Sequence, residues 1–354
     1  MAVDPMEDPS AIVVLVTGGS GFLATQLILQ SLTAGYTVRT TVRNTSKEPV
    51  VRNGLQDAGV SADALARLSF FTADLAQEDG WAEAMKGCTY VQHLAGPSPG
   101  TMQAPDKDIP ETTRDGVLRV MRAARDANVK RLVLTSSFAA IGYGQPPRKD
   151  AFTEKDWTVL DGKVPVATFQ RMKTVVEKAA WEFVEKEGNG LELVVVNPGA
   201  VIGPVLSADL AAPVQAVHKL VDGTVPACPQ LFYNFVDVCD LADLHLRAML
   251  TQDAKGHRFI AINDNEPISF LELGKMIKKE RPEMASKVPT KEIPNMVVRT
   301  IAKVNKEARE IIPLLGIARA ASNSSAKQIL GWQPRPLQKT LVETIDSLVA
   351  HKIV

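Results

Sequence analysis

Short apolar runs alternate along this chain with stretches in which apolar residues recur three or four positions apart. The runs fall at 12–16, 37–42, 68–73, 90–94, 131–135, 191–197 and 258–262, and each predicts a buried strand. Helical spacing covers 22–33, 81–85, 116–127, 175–187, 211–221, 241–250, 270–278 and 336–349. Strands alternating with helices imply right-handed crossovers, and so an α/β fold with a doubly wound parallel sheet covered on both faces. Past Gly203 the strand signals thin, and proline, glycine and helix dominate. That part predicts a smaller C-terminal substrate lobe closing over the carboxyl edge of the sheet. The expected division is 1–200 for the nucleotide-binding part and 201–354 mainly for the lobe, with some strands returning to the sheet. The stretch 142–165, rich in Pro, Asp and Gly, reads as a surface excursion.

The first apolar run ends in Thr17-Gly18-Gly19-Ser20-Gly21-Phe22-Leu23-Ala24, directly before a helical pattern. A buried strand that turns on glycines into a helix is the Rossmann-type arrangement for a dinucleotide. Gly18 tolerates unusual backbone angles, Gly21 lets a ligand approach the main chain, and Ala24 keeps the helix close to the sheet. The helix start then offers free N–H groups and a positive dipole end to a pyrophosphate. A glycine triplet alone is equally compatible with a plain strand-to-helix turn. The second strand adds weight: the carboxylate expected about 20 residues on for a ribose hydroxyl is missing. Arg39, Arg43 and Lys47 stand there instead. A guanidinium matches a phosphate bidentately, so the 2′-phosphorylated cofactor is favoured, with Arg43 at the strand end as the chosen contact. Arg39 and Lys47 read equally well as solvated surface charges.

Composition narrows the function. Forty basic and forty acidic residues cancel, which leaves no electrostatic footprint for nucleic acid or an anionic membrane. No apolar run reaches the roughly 18 residues of a membrane span. The acidic, Pro-containing start, MAVDPMEDPSA, lacks the layout of a signal peptide. Cys88, Cys228 and Cys239 are widely spaced and form no CxxC, arguing for reduced thiols in the cytoplasm and against zinc or a disulfide frame. The Asn-x-Ser triplets at Asn44 and Asn323 are then chance matches. His93, His218 and His245 are scattered and read as structural, so no metal is expected. The expected partner is a small molecule, and the chain a monomer or homodimer.

The chemistry should lie at the carboxyl ends of later strands. Leu132–Ser137 closes a strand with two hydroxyls: Ser137 can donate to a substrate carbonyl, and Thr135 or Ser136 can line the cofactor. These groups could also merely satisfy strand-end backbone. Some thirty residues on, Phe169 and Lys173 are four apart and share a helix face.

With these motifs the chain resembles an extended short-chain dehydrogenase/reductase of the dihydroflavonol reductase, cinnamoyl-CoA reductase and microbial aldehyde/ketone reductase group. The resemblance runs over nearly the whole length. It rests on TGGSGFLA, VRTTVR, Ala73-Asp74-Leu75, LTSS, MKTVVEKAAWEF, Asn197-Pro198-Gly199, Asn234-Phe235-Val236-Asp237-Val238, Asp240-Leu241-Ala242, Lys287-Val288-Pro289-Thr290 and Leu330-Gly331-Trp332. It implies NADP(H) as cofactor and transfer of a hydride to a carbonyl carbon. Gly18, Ser20, Gly21, Phe22 and Leu23 would form the pyrophosphate loop, and Arg43 with Lys47 the 2′-phosphate clamp. Asp74 and Leu75 would hold the adenine; Leu94, Ala95 and Gly96 would pass the nicotinamide ribose. Lys173 would bond that ribose and lower the pKa of the proton donor, and Pro198, Gly199 and Val201 would lie against the carboxamide.

Two departures stand out. The family's tyrosine proton donor, four residues before the lysine, is replaced by Phe169, and Met172 stands where serine is usual. Cys239 occupies a place where arginine commonly separates two aspartates. Losing a general acid costs roughly a hundred- to ten-thousand-fold in rate, yet spares cofactor binding and hydride geometry. Three readings stay open: a designed substitution at Phe169, a natural enzyme using Ser137, an ordered water or Tyr143 as donor, or a non-catalytic NADP(H)-binding regulatory protein. Ser98, Met102, Phe138, Tyr143, Phe169 and Leu206, with Val205 and Phe232, are expected to line an apolar substrate pocket. Such a lining suits a hydrophobic aldehyde or ketone better than a nucleotide sugar.

Overall fold

The computed structural model describes residues 8–97 and 109–354. Seven parallel strands form the central sheet: β1 (Val13–Val16), β2 (Thr37–Val42), β3 (Leu68–Thr72), β4 (Tyr90–His93), β5 (Arg131–Thr135), β6 (Glu192–Pro198) and β7 (Arg258–Ala261). Their spatial order is β7-β6-β5-β4-β1-β2-β3. The chain order reverses between β1 and β4, which pair through Val14↔Tyr90. In an open α/β sheet such a reversal leaves a crevice at the carboxyl ends, where ligands bind. The doubly wound sheet expected from the sequence is present.

Each strand feeds both faces because side chains alternate. Val14 and Val16 point into one layer with Leu27, Ile28 and Leu241, while Leu15 points into the other with Val120, Met121 and Val176. Leu132 and Leu134 against Val133 repeat the pattern on β5. The helix Phe22–Thr33 stops where Gly35 takes φ 93°, a left-handed position that glycine fills without strain. Predicted and observed strand ends agree within a residue or so.

Helices differ more. Apolar periodicity covers only 175–187 of the helix Thr168–Glu187, whose full span agrees with the 168–187 expected for the lysine helix. In its first turns the polar Gln170 and Thr174 are buried beside Met172, which breaks the apolar periodicity there. The helix expected from 116 spans Ile109–Asp126. The excursion 142–165 is only partly superficial: Phe152 and Thr158 are buried, and Phe152 bonds the backbone of Ala320.

Beyond β6 the chain makes three two-stranded ribbons: Ala200–Ile202 with Phe235–Asp237, Phe232–Tyr233 with Ile268–Ser269, and Cys228–Pro229 with Glu292–Ile293. Strands of two or three residues leave no periodic signal, so the sequence did not reveal them. A separate apolar cluster, including Val217, Leu220, Phe235, Leu273, Ile277, Leu341 and Ile345, holds this part together. Among the described residues no helix is long and apolar enough to cross a membrane.

Candidate active site

The crevice begins at Thr17, which is fully buried and ties β1 to β4. Its Oγ1 accepts from the backbone N–H groups of Leu94 and Ala95, both at 3.0 Å, and meets His93 Nδ1 at 2.9 Å. Gly18 follows at φ 72°, with Ala95 close enough that a side chain would crowd it. The helix Phe22–Thr33 starts at Gly21, which offers no side-chain cap to the first turn. Its leading N–H donors are thus left for an anion. The structure therefore brings Gly18, Ser20, Gly21, Phe22 and Leu23 to the same crevice as Leu94, Ala95 and Gly96.

The three cations after β2 separate cleanly. Arg39 is spent on structure: its guanidinium donates to the carbonyls of Glu83 and Lys86 and stacks 4.0 Å above the ring of Phe71. Lys47 is exposed and reaches Asp209 at 3.4 Å. Arg43 is exposed at the carboxyl end of β2 and has no hydrogen-bond or ion-pair partner among the described residues. Of the three it alone is uncommitted. Asp74 spends its carboxylate on the N–H of Ala76, and Leu75 lies against Gly116.

At the other end of the crevice, Lys173 Nζ donates to the carbonyl of Thr135 at 3.3 Å and stands 5.9 Å from the centre of the Phe169 ring. Burial pulls the Lys173 ammonium down to about 8, against the opposing pull of Glu177 one turn on. His93 is driven to about 3 by burial, assisted by the Lys173 charge, and stays neutral. His245 is neutral too, lowered to about 3 by burial, and bridges Gln92 and Thr135. His218 bonds the carbonyl of Ile353. Ser137 precedes the short turn Phe138–Ala140, accepts from Ala139 N–H at 3.1 Å and donates only weakly, at 3.5 Å, to the carbonyl of Pro198. That hydroxyl is free to turn toward a substrate.

Ser136 does not line the crevice. Its hydroxyl is buried and donates to Glu177 at 2.5 Å. Glu177 also takes Asn197 Nδ2 at 2.7 Å and the Arg258 guanidinium, which sits 3.8 Å over the ring of Trp157. Sequence reasoning missed this buried network, whose members come from four separate segments. It also missed Glu310, whose carboxylate receives Thr168 N–H at 3.2 Å and so caps the Lys173 helix from outside it.

The expected pocket residues are dispersed. Ser98 and Met102 lie outside the described residues. Phe138 is buried in a cluster with Phe152, Ile141 and Ile260, its ring 6.0 Å from that of Tyr143. Leu206 lies near the glycine turn instead, against Gly54 and beside Ser20 and Lys47. Val205 packs with Val214 and Leu348. Pro198 is buried, while Gly199 and Val201 are half-buried at the end of β6.

The chain is similar to known proteins in sequence and in fold. The model of the NAD dependent epimerase/dehydratase family matches residues 14–262. Cinnamoyl-CoA reductase CAD2 of Medicago truncatula is 29% identical over 348 residues, covering 96% of each chain. A dihydroflavonol 4-reductase of Zea mays is 31% identical over 276 residues, covering 76% of this chain and 74% of its own. Among solved structures, yeast methylglyoxal/isovaleraldehyde reductase Gre2, complexed with NADPH, superposes with a TM-score of 0.76 at 22% identity, over 97% of this chain and 100% of that one.

Proposed function

We propose an NADPH-dependent reductase of hydrophobic aldehydes or ketones, on the premise that this chain belongs to the NAD dependent epimerase/dehydratase family. The observation that carries the reading is Lys173, drawn down to about 8 and aimed at the carboxyl end of β5 beside Ser137. NADPH supplies a hydride when bound. Everything else falls to the protein. The uncapped helix start and Gly18 suit a pyrophosphate, and the uncommitted Arg43 suits a 2′-phosphate. Lys173 holds a ribose and adds positive charge where negative charge builds on the carbonyl oxygen. The relatives' names, reductases of cinnamoyl-CoA and of a dihydroflavonol, support a carbonyl substrate. Residues 201–354 would supply most of the substrate side.

Phe169 favours a second reading: a non-catalytic protein that binds NADP(H) and responds to it. Turnover of NADPH against a panel of aryl ketones and aldehydes, run for the chain as written and for Phe169→Tyr, separates the two. The reductase reading expects Phe169→Tyr to gain roughly a hundredfold or more, the contribution of a general acid. A Phe169→Tyr chain that binds NADPH tightly, by fluorescence titration, yet stays inert would overturn it in favour of the second reading.

A further inference from the structure

Buried arginines in this protein are normally paired. Arg131 meets Glu192 at 2.7 Å and four backbone carbonyls, and Arg258 meets Glu177 and two carbonyls. Arg319 is the exception. It is only 8% exposed, yet among the described residues no carboxylate lies within ion-pair distance. Of the five N–H donors of its guanidinium, one makes a long bond, 3.3 Å, to the carbonyl of Ile317. The face of the group lies 4.4 Å above the Tyr143 ring. A cation–π contact of that kind offsets part of the cost of burying the charge but satisfies no donor.

Its surroundings belong to the reacting end of the crevice. Tyr143 packs edge-on to Phe138, the residue after Ser137. Gln170, the residue after Phe169, is buried and its Oε1 has no partner. Asn234 holds the carbonyl of Arg319 through Nδ2 at 2.9 Å and packs against Gly199, while its own Oδ1 is unpaired. None of the guanidinium's nitrogens is both buried and unpartnered, so its spare donors open to solvent from an aromatic floor and can take an anion there.

We propose that Arg319 anchors a carboxylate on the substrate, so that the preferred carbonyl compound is an oxo acid with an apolar tail. This rests on the reductase reading above and names its substrate class. The guanidinium would pair the carboxylate bidentately, and Tyr143 and Phe138 would cover the tail. Its charge would raise affinity at the site without entering the chemistry of hydride transfer.

The test uses the full chain loaded with NADP⁺ and compares 4-phenylbutanoate with 4-phenylbutanamide by titration calorimetry. The two ligands differ in charge and little in shape. The carboxylate should bind at least about tenfold tighter, the scale of one charge-assisted hydrogen bond. In Arg319→Met the preference should vanish while NADP⁺ affinity holds, and in Arg319→Lys part of it should remain. Equal affinities in the unmutated chain overturn the proposal whether or not any variant folds, and so does a preference that survives Arg319→Met. A carboxylate preference in a chain whose Phe169→Tyr form reduces neither oxo acids nor neutral ketones would sink the reductase reading and leave Arg319 as an anion site only, which overturns the substrate assignment.

Discussion

Replacing Glu177 by glutamine tests the buried network behind Lys173. The Glu177 side chain has 0% exposure, and its two oxygens take Ser136 Oγ, Asn197 Nδ2, Trp181 Nε1 and Arg258 Nε. Glutamine keeps the shape but turns one acceptor into a donor and removes the charge. Arg258 would then stay buried, balanced only by the carbonyls of Glu154 and Asp156, both at 2.8 Å, and by the ring of Trp157. Removing one partner of a buried pair costs about 3–5 kcal/mol. The surviving carbonyl bonds put the expectation at the lower end, about 3 kcal/mol. Against a total stability of about 5–15 kcal/mol for a folded protein, that is a large share.

The assay is urea unfolding at constant slope, read as a shift in midpoint. Removing both charges at once, as Glu177→Leu with Arg258→Met, should recover most of the loss, because the penalty comes from the orphaned partner. A single variant within about 0.5 kcal/mol of the parent would show that the pair carries no such strain. A double variant as unstable as the single would place the cost in the Ser136 and Asn197 bonds instead. Glu177 also holds the Lys173 ammonium up, so Glu177→Gln should move its titration below about 8.

Two further outcomes follow from the charged groups. Arg43→Ala should weaken NADPH binding by roughly ten- to a hundredfold while leaving NADH nearly unchanged, since only the phosphate loses a charge-assisted contact; equal weakening of both in fluorescence titration would deny Arg43 that role. Lys173 is depressed to about 8 from the usual lysine range, so the native state releases a proton that the unfolded chain keeps between pH 8 and about 10.4. Stability should therefore rise with pH across that window, while turnover, which needs the ammonium, should fall as pH passes about 8; pH-dependent melts and rates on the parent and on Lys173→Met check both signs.

The elements legible in the sequence are those whose burial is apolar. Strands β1, β5 and β6 are built around runs of Val and Leu because both faces of a parallel sheet are covered. The glycine turn and the lysine helix could be placed because their spacing carries the geometry. The first turns of that helix follow from the spacing of Phe169 and Lys173, not from apolar periodicity, since Gln170 and Thr174 are buried there beside Met172. The network could not be placed: Ser136, Glu177, Asn197 and Arg258 meet across up to 122 positions, and nothing local marks them as partners. Tyr143 illustrates the opposite error. Its loop reads as superficial, yet the ring is held between Phe138 and Arg319.

The two aspartates on either side of Cys239 share one cation, Arg335, about a hundred residues on. Its Nε meets Asp240 at 2.9 Å, and its Nη1 stands 3.6 Å from Asp237 and 2.8 Å from Glu343. Phe169 carries no hydroxyl, which leaves Ser137 and Tyr143 to compete as proton donor for the carbonyl. Burial raises the Tyr143 hydroxyl above its ordinary value, which makes it a weaker acid, and the cation of Arg319 only partly offsets this. Ser137 Oγ accepts from Ala139 N–H at 3.1 Å, but its own proton is engaged only by one 3.5 Å bond and can turn at little cost. Any turnover of the chain as written should therefore fall about tenfold or more in Ser137→Ala, the value of a lost donor to a charged oxygen. In Tyr143→Phe it should change little. Rates on one ketone at saturating NADPH decide it: full activity in Ser137→Ala alongside loss in Tyr143→Phe would reverse the assignment.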